Sequence, residues 1–226
     1  MTSTLQPTDG RRRVLHRRIT WIVTATIAWN LIEAVVAITA GAGASSAALI
    51  GFGLDSTVEV LSAAAVAWQF TRRDPERWEK RTLRIIAVAF FALAVYVTAS
   101  SVWTLVNQVE VQQSMVGIVL TALSVVTMPF LSLAERRAGR ELRSATAVAD
   151  SRQTLICTYL SAAVLIGLVA NSLYGWWWVD GIAGLVISGF AIREGVEAWR
   201  GDACATSVGM LLEEEHDDHP APDHKH

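Results

Sequence analysis

Residues 51–68 read GFGLDSTVEVLSAAAVAW, an apolar stretch into which Asp55 and Glu59 are set one helical turn apart. The stretch belongs to a longer apolar block, residues 46–70. About 20 mostly apolar residues suffice to cross a bilayer as a helix. Five further blocks of this kind follow the same rule, at 19–40, 84–107, 114–134, 147–170 and 176–198. Across the chain, 52% of residues are hydrophobic and 18% charged, with a mean hydropathy of +0.37. Such a composition, delivered in long blocks, excludes an ordinary soluble domain. The expected fold is all-α, a six-helix transmembrane bundle with short connections and no soluble C-terminal domain.

Charge sorts by position along the chain. Arg11, Arg12, Arg13, Arg17 and Arg18 precede the first block, and Arg72, Arg73, Arg77, Lys80, Arg81 and Arg84 follow the second. Arg136, Arg137, Arg140 and Arg143 follow the fourth, and Arg193, Arg200 and Lys225 close the sequence. Of the 19 basic residues only Arg152 lies elsewhere, inside the fifth block. The alternate connections GAGAS, NQVEVQQS and NSLYG hold no Lys or Arg. Basic residues concentrate on the cytoplasmic side of membrane proteins, so both termini are expected to be cytoplasmic. Tyr174, Trp176, Trp177 and Trp178 then fall at the outer interface, where amphipathic rings anchor helices.

Three regions follow. Residues 1–18 read as a disordered basic segment suited to anionic lipid, residues 19–200 as the six-span domain, and residues 201–226 as a disordered acidic, His-rich tail. RRRVLH ahead of an apolar stretch and AGAGA has a loose likeness to a secretory or twin-arginine signal. The length of that stretch, its Asn30 and Glu33, and the five blocks behind it favour a retained first span. Cys157 inside a span and Cys204 on the reducing side make no disulfide framework. A multi-pass protein of a cell membrane, such as a bacterial inner membrane, fits these features.

The polar residues inside the spans carry the functional argument. A charge at a helix centre in a bilayer costs about 2.5–3.5 kcal/mol on insertion scales, and such residues are functional by default. Asp55 and Glu59 share one helix face, which makes two oxygen donors in a dry place a half-site for a cation. The alternative is structural: an ion pair with Arg152 or hydrogen bonds to Asn30. In the fifth block Asp150, Gln153 and Cys157 also share a face, and a thiol beside carboxylates suits a borderline ion such as Zn²⁺. Packing alone is the other role for a buried cysteine. Asn30 and Glu33 share a face of the first span, as outer partners of the site or a proton route. Ser56, Thr57, Ser62 and Thr154 line a polar path or join helices, and Asp180 caps the sixth helix or lines an exit. In the tail, His216, His219, His224 and His226 stand among acids, a composition that collects divalent metals weakly. No Gly-rich phosphate loop, His-containing hydrolase motif or nucleophile triad is present, which excludes an enzyme. Nothing in the pattern suits nucleic acid.

Taken in order, these residues resemble the transmembrane domain of the cation diffusion facilitator family of cation efflux proteins. SSAALIGFGLDSTVE matches that family's second span, with Asp55 and Glu59 on its paired acids. ADSRQTLIC places Gln153 and Cys157 on the paired positions of the fifth span, and WWWVDGIAGLVI resembles the opening of the sixth. The resemblance covers about residues 19–200. It implies proton-coupled export of Zn²⁺, or of Fe²⁺, Co²⁺ or Cd²⁺, by alternating access, with Asp55, Glu59, Gln153 and Cys157 as ligands. No cofactor is held permanently; the metal is cargo, and its partners are protons, the lipid bilayer and a second copy meeting through the membrane helices. Three departures stand out. Gln153 and Cys157 replace the usual His or Asp followed by Asp, Glu59 replaces a second Asp, and the family's cytoplasmic metal-sensing domain has no counterpart here. Two other functions remain in view: transport of H⁺ or Na⁺ by the same acids, and a non-transporting membrane metal sensor or scaffold.

Overall fold

The computed structural model describes residues 9–70, 75–142 and 145–200, with side chains at 21–22, 24–65, 68, 80–134, 136–137 and 155–200. Among these residues it forms six helices joined by short connections at 45–46, 107–114 and 175–176: α1 (Asp9–Ala44), α2 (Ala47–Phe70), α3 (Pro75–Val106), α4 (Met115–Leu142), α5 (Ala145–Tyr174) and α6 (Trp177–Arg200). Five contain spans apolar and long enough to cross a membrane: Thr24–Ala44, Ala47–Ala65, Lys80–Val106, Met115–Ala134 and Leu155–Tyr174. The sixth helix is long enough as well, but Asp180, Arg193, Glu194 and Glu197 make it more polar. Trp176, just ahead of it, and Trp178 in its first turn are exposed, and the two rings stack with centroids 5.9 Å apart.

One expectation is corrected at the start of the chain. Residues 9–18 are not a disordered lead; they belong to α1, which runs unbroken into the first span. Arg and Leu are good helix formers, and a span already nucleated behind them makes each added residue inexpensive to order. Residues 201–226, including His216, His219, His224 and His226, lie outside the described residues.

Helix ends at the side free of basic residues use left-handed caps. Ser45 (φ 56°), Gln108 (φ 51°) and Gly175 (φ 68°) follow α1, α3 and α5 respectively. The Ser46 N–H returns to Gly41 O at 3.0 Å, the Val109 N–H to Thr104 O at 3.1 Å, and the Gly175 N–H to Asn171 O at 2.9 Å. These bonds satisfy terminal carbonyls that have no partner inside the helix. The 107–114 connection is then laced to its neighbours. Gln112 N–H donates to Ala44 O at 2.8 Å, and Asn171 Nδ2 donates to Val111 O at 2.7 Å.

Packing places α2 at the centre, against α1, α3, α5 and α6, while α4 lies between α1 and α5. Lipid tails supply no hydrophobic drive for helix association, so close approach depends on small residues. Between α1 and α2 the fit is tight. A Cβ on Gly53 would stand 2.9 Å from the Ile38 backbone nitrogen, and one on Gly41 would stand 2.8 Å from that of Ile50. Along α6, Gly181, Gly184 and Gly195 face Leu105, Ser101 and Phe91 of α3. Thr98 and Ser188 hydroxyls meet at 2.5 Å across the same seam. Bringing α1 this near α2 is what lets polar side chains of the first span reach those of the second.

Candidate metal site

The helical period of α2 puts Asp55 and Glu59 on one face, midway along the span Ala47–Ala65. Asp55 is buried and Glu59 half-buried. From α5, buried Cys157 comes to meet them. Ligand atoms of Asp55, Glu59 and Cys157 all lie within 4.8 Å of one another, a spacing that lets one metal ion touch all three. The Cys157 thiol donates to Glu59 Oε1 at 2.6 Å. On the other oxygen, Asn30 Nδ2 of α1 donates to Glu59 Oε2 at 2.6 Å. The hydrogen bond expected from Asn30 is thus formed, and the Glu59 carboxylate is oriented from two neighbouring helices.

Further acids lie around this cluster. Glu33 of α1 and Glu194 of α6 are close enough to Asp55 to interact with it electrostatically. Glu33 is 1% exposed, yet it does not join the three-donor group. Its carboxylate accepts from Trp29 Nε1 at 2.7 Å and Ser56 Oγ at 3.2 Å, and also from Ser124 Oγ of α4. Such a carboxylate, ringed by donors, is held in place by α1, α2 and α4 together. Asp180 is also placed away from the cluster. Its carboxylate accepts from Ser46 Oγ at 2.5 Å and the Ala48 N–H at 3.4 Å, so it caps the N-terminus of α2, not of its own helix. A carboxylate there complements the positive end of the helix dipole.

The hydroxyls expected along a polar path divide. Ser56 turns to Glu33 and to Phe52 O, while Thr57 bonds back to Gly53 O at 2.8 Å. Ser62 Oγ is buried without a hydrogen-bond partner among the described residues. The backbones at Asp150, Gln153 and Thr154 are helical within α5, but their side chains, like that of Arg152, lie outside the described residues. Three contributors were missed by the sequence reading: Trp29 and Ser124, which hold Glu33, and Glu194. Trp29 and Glu33 stand at i, i+4 on one helix, so that pair was readable. Ser124 and Glu194 come from elements whose facing depends on helix packing.

Among the described residues, six helices, five of them with apolar spans, around buried carboxylates and a thiol define a multi-pass membrane protein with a candidate cation site. Residues 23–201 match the cation efflux transmembrane domain, and the chain belongs to that family. A relative in Shewanella oneidensis, the cation-efflux pump FieF, is 32% identical over 114 residues, covering 50% of this chain and 36% of the pump. Transmembrane protein 163 of Xenopus laevis is 23% identical over 188 residues, covering 80% of this chain and 66% of that protein. The chain thus spans about a third to two thirds of the length of these relatives.

Proposed function

We propose that this chain exports a divalent transition metal, Zn²⁺ first among them, from the cytosol across a cell membrane. The ion binds near the midplane between α2 and α5, at Asp55, Glu59 and Cys157 with Gln153 beside them, and protons move in the opposite direction. The convergence of three ionisable donors from two helices within 4.8 Å carries this reading. Two carboxylates and a thiol form a mixed oxygen and sulfur set, which suits borderline divalent ions. Buried, mutually repelling acids favour whichever state removes their net charge. A divalent ion does so on the way out, and protons do so on the return.

Alternating access follows from the same electrostatics. A charged empty site would resist rearrangement through hydrocarbon, whereas the metal-loaded and proton-loaded states are both close to neutral. Cytoplasmic termini, a bacterial inner membrane and a homodimer formed through the membrane helices complete the reading, the first from the distribution of basic residues. Purified protein in proteoliposomes, given Zn²⁺ under an imposed pH gradient, tests it. Wild type is expected to move Zn²⁺ with counter-movement of protons, and Asp55→Ala to abolish the flux while eluting as a folded protein. Absence of metal-dependent proton movement in wild type would end the exchanger reading.

A further inference from the structure

Asn30 carries an oxygen with nothing to bond. The residue is 5% exposed, and its Nδ2 is engaged with Glu59 Oε2 at 2.6 Å. Its Oδ1 is buried and has no hydrogen-bond partner among the described residues. Leaving a buried acceptor unmet costs about 1–3 kcal/mol, and buried polar atoms in folded proteins are nearly always paired. Here the orphan belongs to a side chain already in contact with a candidate ligand, and it shares one planar carbon with the nitrogen making that contact.

We propose that Asn30 Oδ1 is a direct ligand of the bound cation, so that the loaded site is closed by α1, α2 and α5 together. The inference rests on the reading that the cation binds at Asp55, Glu59 and Cys157. Those residues offer one ligand atom each, three of the four donors a tetrahedral ion takes, and Asn30 Oδ1 fills the fourth position with Gln153 outside the coordination sphere. In the empty site the Asn30 amide donates to Glu59 and steadies its charge. Once an ion takes that charge, the carboxylate no longer needs the donor. The terminal torsion of Asn is broad, so the amide turns and presents its oxygen in place of its nitrogen. One set of contacts replaces another on the same side chain, and the orphan is satisfied only when cargo is present.

The chemistry narrows the cargo. An amide oxygen is a hard donor, of the kind preferred by ions such as Mn²⁺ and Mg²⁺. Added to two carboxylates and one thiol, it yields three oxygens and one sulfur. That set favours divalent first-row ions that accept oxygen, and disfavours a soft monovalent ion such as Cu⁺, which selects sulfur.

Purified full-length chain in detergent, titrated with Co²⁺ and Zn²⁺, tests the assignment through three proteins. Wild type is expected to show cobalt d–d absorption together with a thiolate-to-metal charge-transfer band from Cys157. Asn30→Leu, similar in size without polar atoms, is expected to weaken both metals by about 10–100-fold. Its d–d bands should change while the charge-transfer band persists at saturating metal. Asn30→Asp keeps an oxygen and loses the donor, so it should restore the affinity. If Asn30→Leu binds as wild type does, the ligand role is refuted. Affinity as weak in Asn30→Asp as in Asn30→Leu also refutes it, because the residue would then act only by orienting Glu59. Should Asn30→Leu fail to fold, Asn30→Ala, which removes both polar atoms without adding bulk, takes its place in every comparison. Wild type without Co²⁺ binding removes the whole site, whereas normal wild-type binding with an indifferent Asn30→Leu removes only the Asn30 ligand.

Discussion

Removal of the Asp180 carboxylate probes how one end of the bundle is held. Asp180 lies in the first turn of α6 and is 1% exposed. It binds Ser46 Oγ at 2.5 Å, across 134 residues of sequence. Ser46 Oγ in turn accepts the Leu49 N–H at 3.0 Å, so the first turn of α2 is capped through a relay that starts on α6. The bond to the Ala48 N–H is long, at 3.4 Å, and contributes little. A hydrogen bond to a charged group is worth about 1.5–3 kcal/mol, and loss of an N-cap about 1 kcal/mol. Asp180→Ala should therefore destabilise the protein by about 2–4 kcal/mol. Asp180→Asn keeps one acceptor and should lose about half as much. For a chain of this length 1 kcal/mol shifts Tm by about 2–4 °C, so the alanine variant should melt roughly 4–16 °C lower. Intrinsic fluorescence from the nine tryptophans reports the transition in detergent. Asp180 sits about two turns of α2 away from Asp55, so the folded variant should bind metal as wild type does. A Tm within about 2 °C of wild type, or a folded variant that has lost metal affinity, would refute this account of Asp180.

Other perturbations follow from contacts already described. Glu33→Ala leaves the donors Trp29, Ser56 and Ser124 without an acceptor and should cost about 1–3 kcal/mol; Glu33→Gln, which keeps one acceptor, should melt closer to wild type in the same fluorescence assay. Gly53→Ala drives a methyl against the Ile38 backbone nitrogen at 2.9 Å and should destabilise by about 1–3 kcal/mol. The control Gly43→Ala meets nothing within 4 Å and should be neutral. Because Gly53 sets the α1–α2 spacing, Gly53→Ala should also weaken metal binding by moving Asn30 from Glu59, measurable by calorimetric titration at a temperature where the variant is folded. Cys157→Ser exchanges a soft donor for a hard one and should lower affinity for Cd²⁺ and Zn²⁺ more than for Mn²⁺; an unchanged selectivity profile would assign Cys157 to packing.

Much of the architecture was legible in one dimension because the bilayer is a strict solvent. A helix is required wherever some 20 apolar residues meet hydrocarbon, so block length alone located the six helices of the described residues, though not all of their ends. Asp55 and Glu59 stood out because acids are rare in such blocks, and their shared face follows from helical geometry without any packing. The likeness to cation efflux transmembrane domains rested on the same residues and agrees with the match over residues 23–201. Continuation of α1 back to Asp9 was missed because composition reports solubility, not whether a preceding segment extends a helix already formed.

Which side chains meet across helices was decided by the tertiary structure. Periodicity gives each helix its own faces but says nothing of the rotation of one helix against another. The thiol of Cys157 and the amide of Asn30 reach Glu59 from opposite sides, and glycine-mediated approach of α1 to α2 makes the second contact possible. Asp180 capping α2, and Ser124 closing on Glu33, are of the same kind. In a membrane the sequence determines how many helices there are and which of their residues are costly to bury, because each helix satisfies its own backbone. Partners for those costly residues come from interhelical packing, whose small steric differences have no signature along a single strand of sequence.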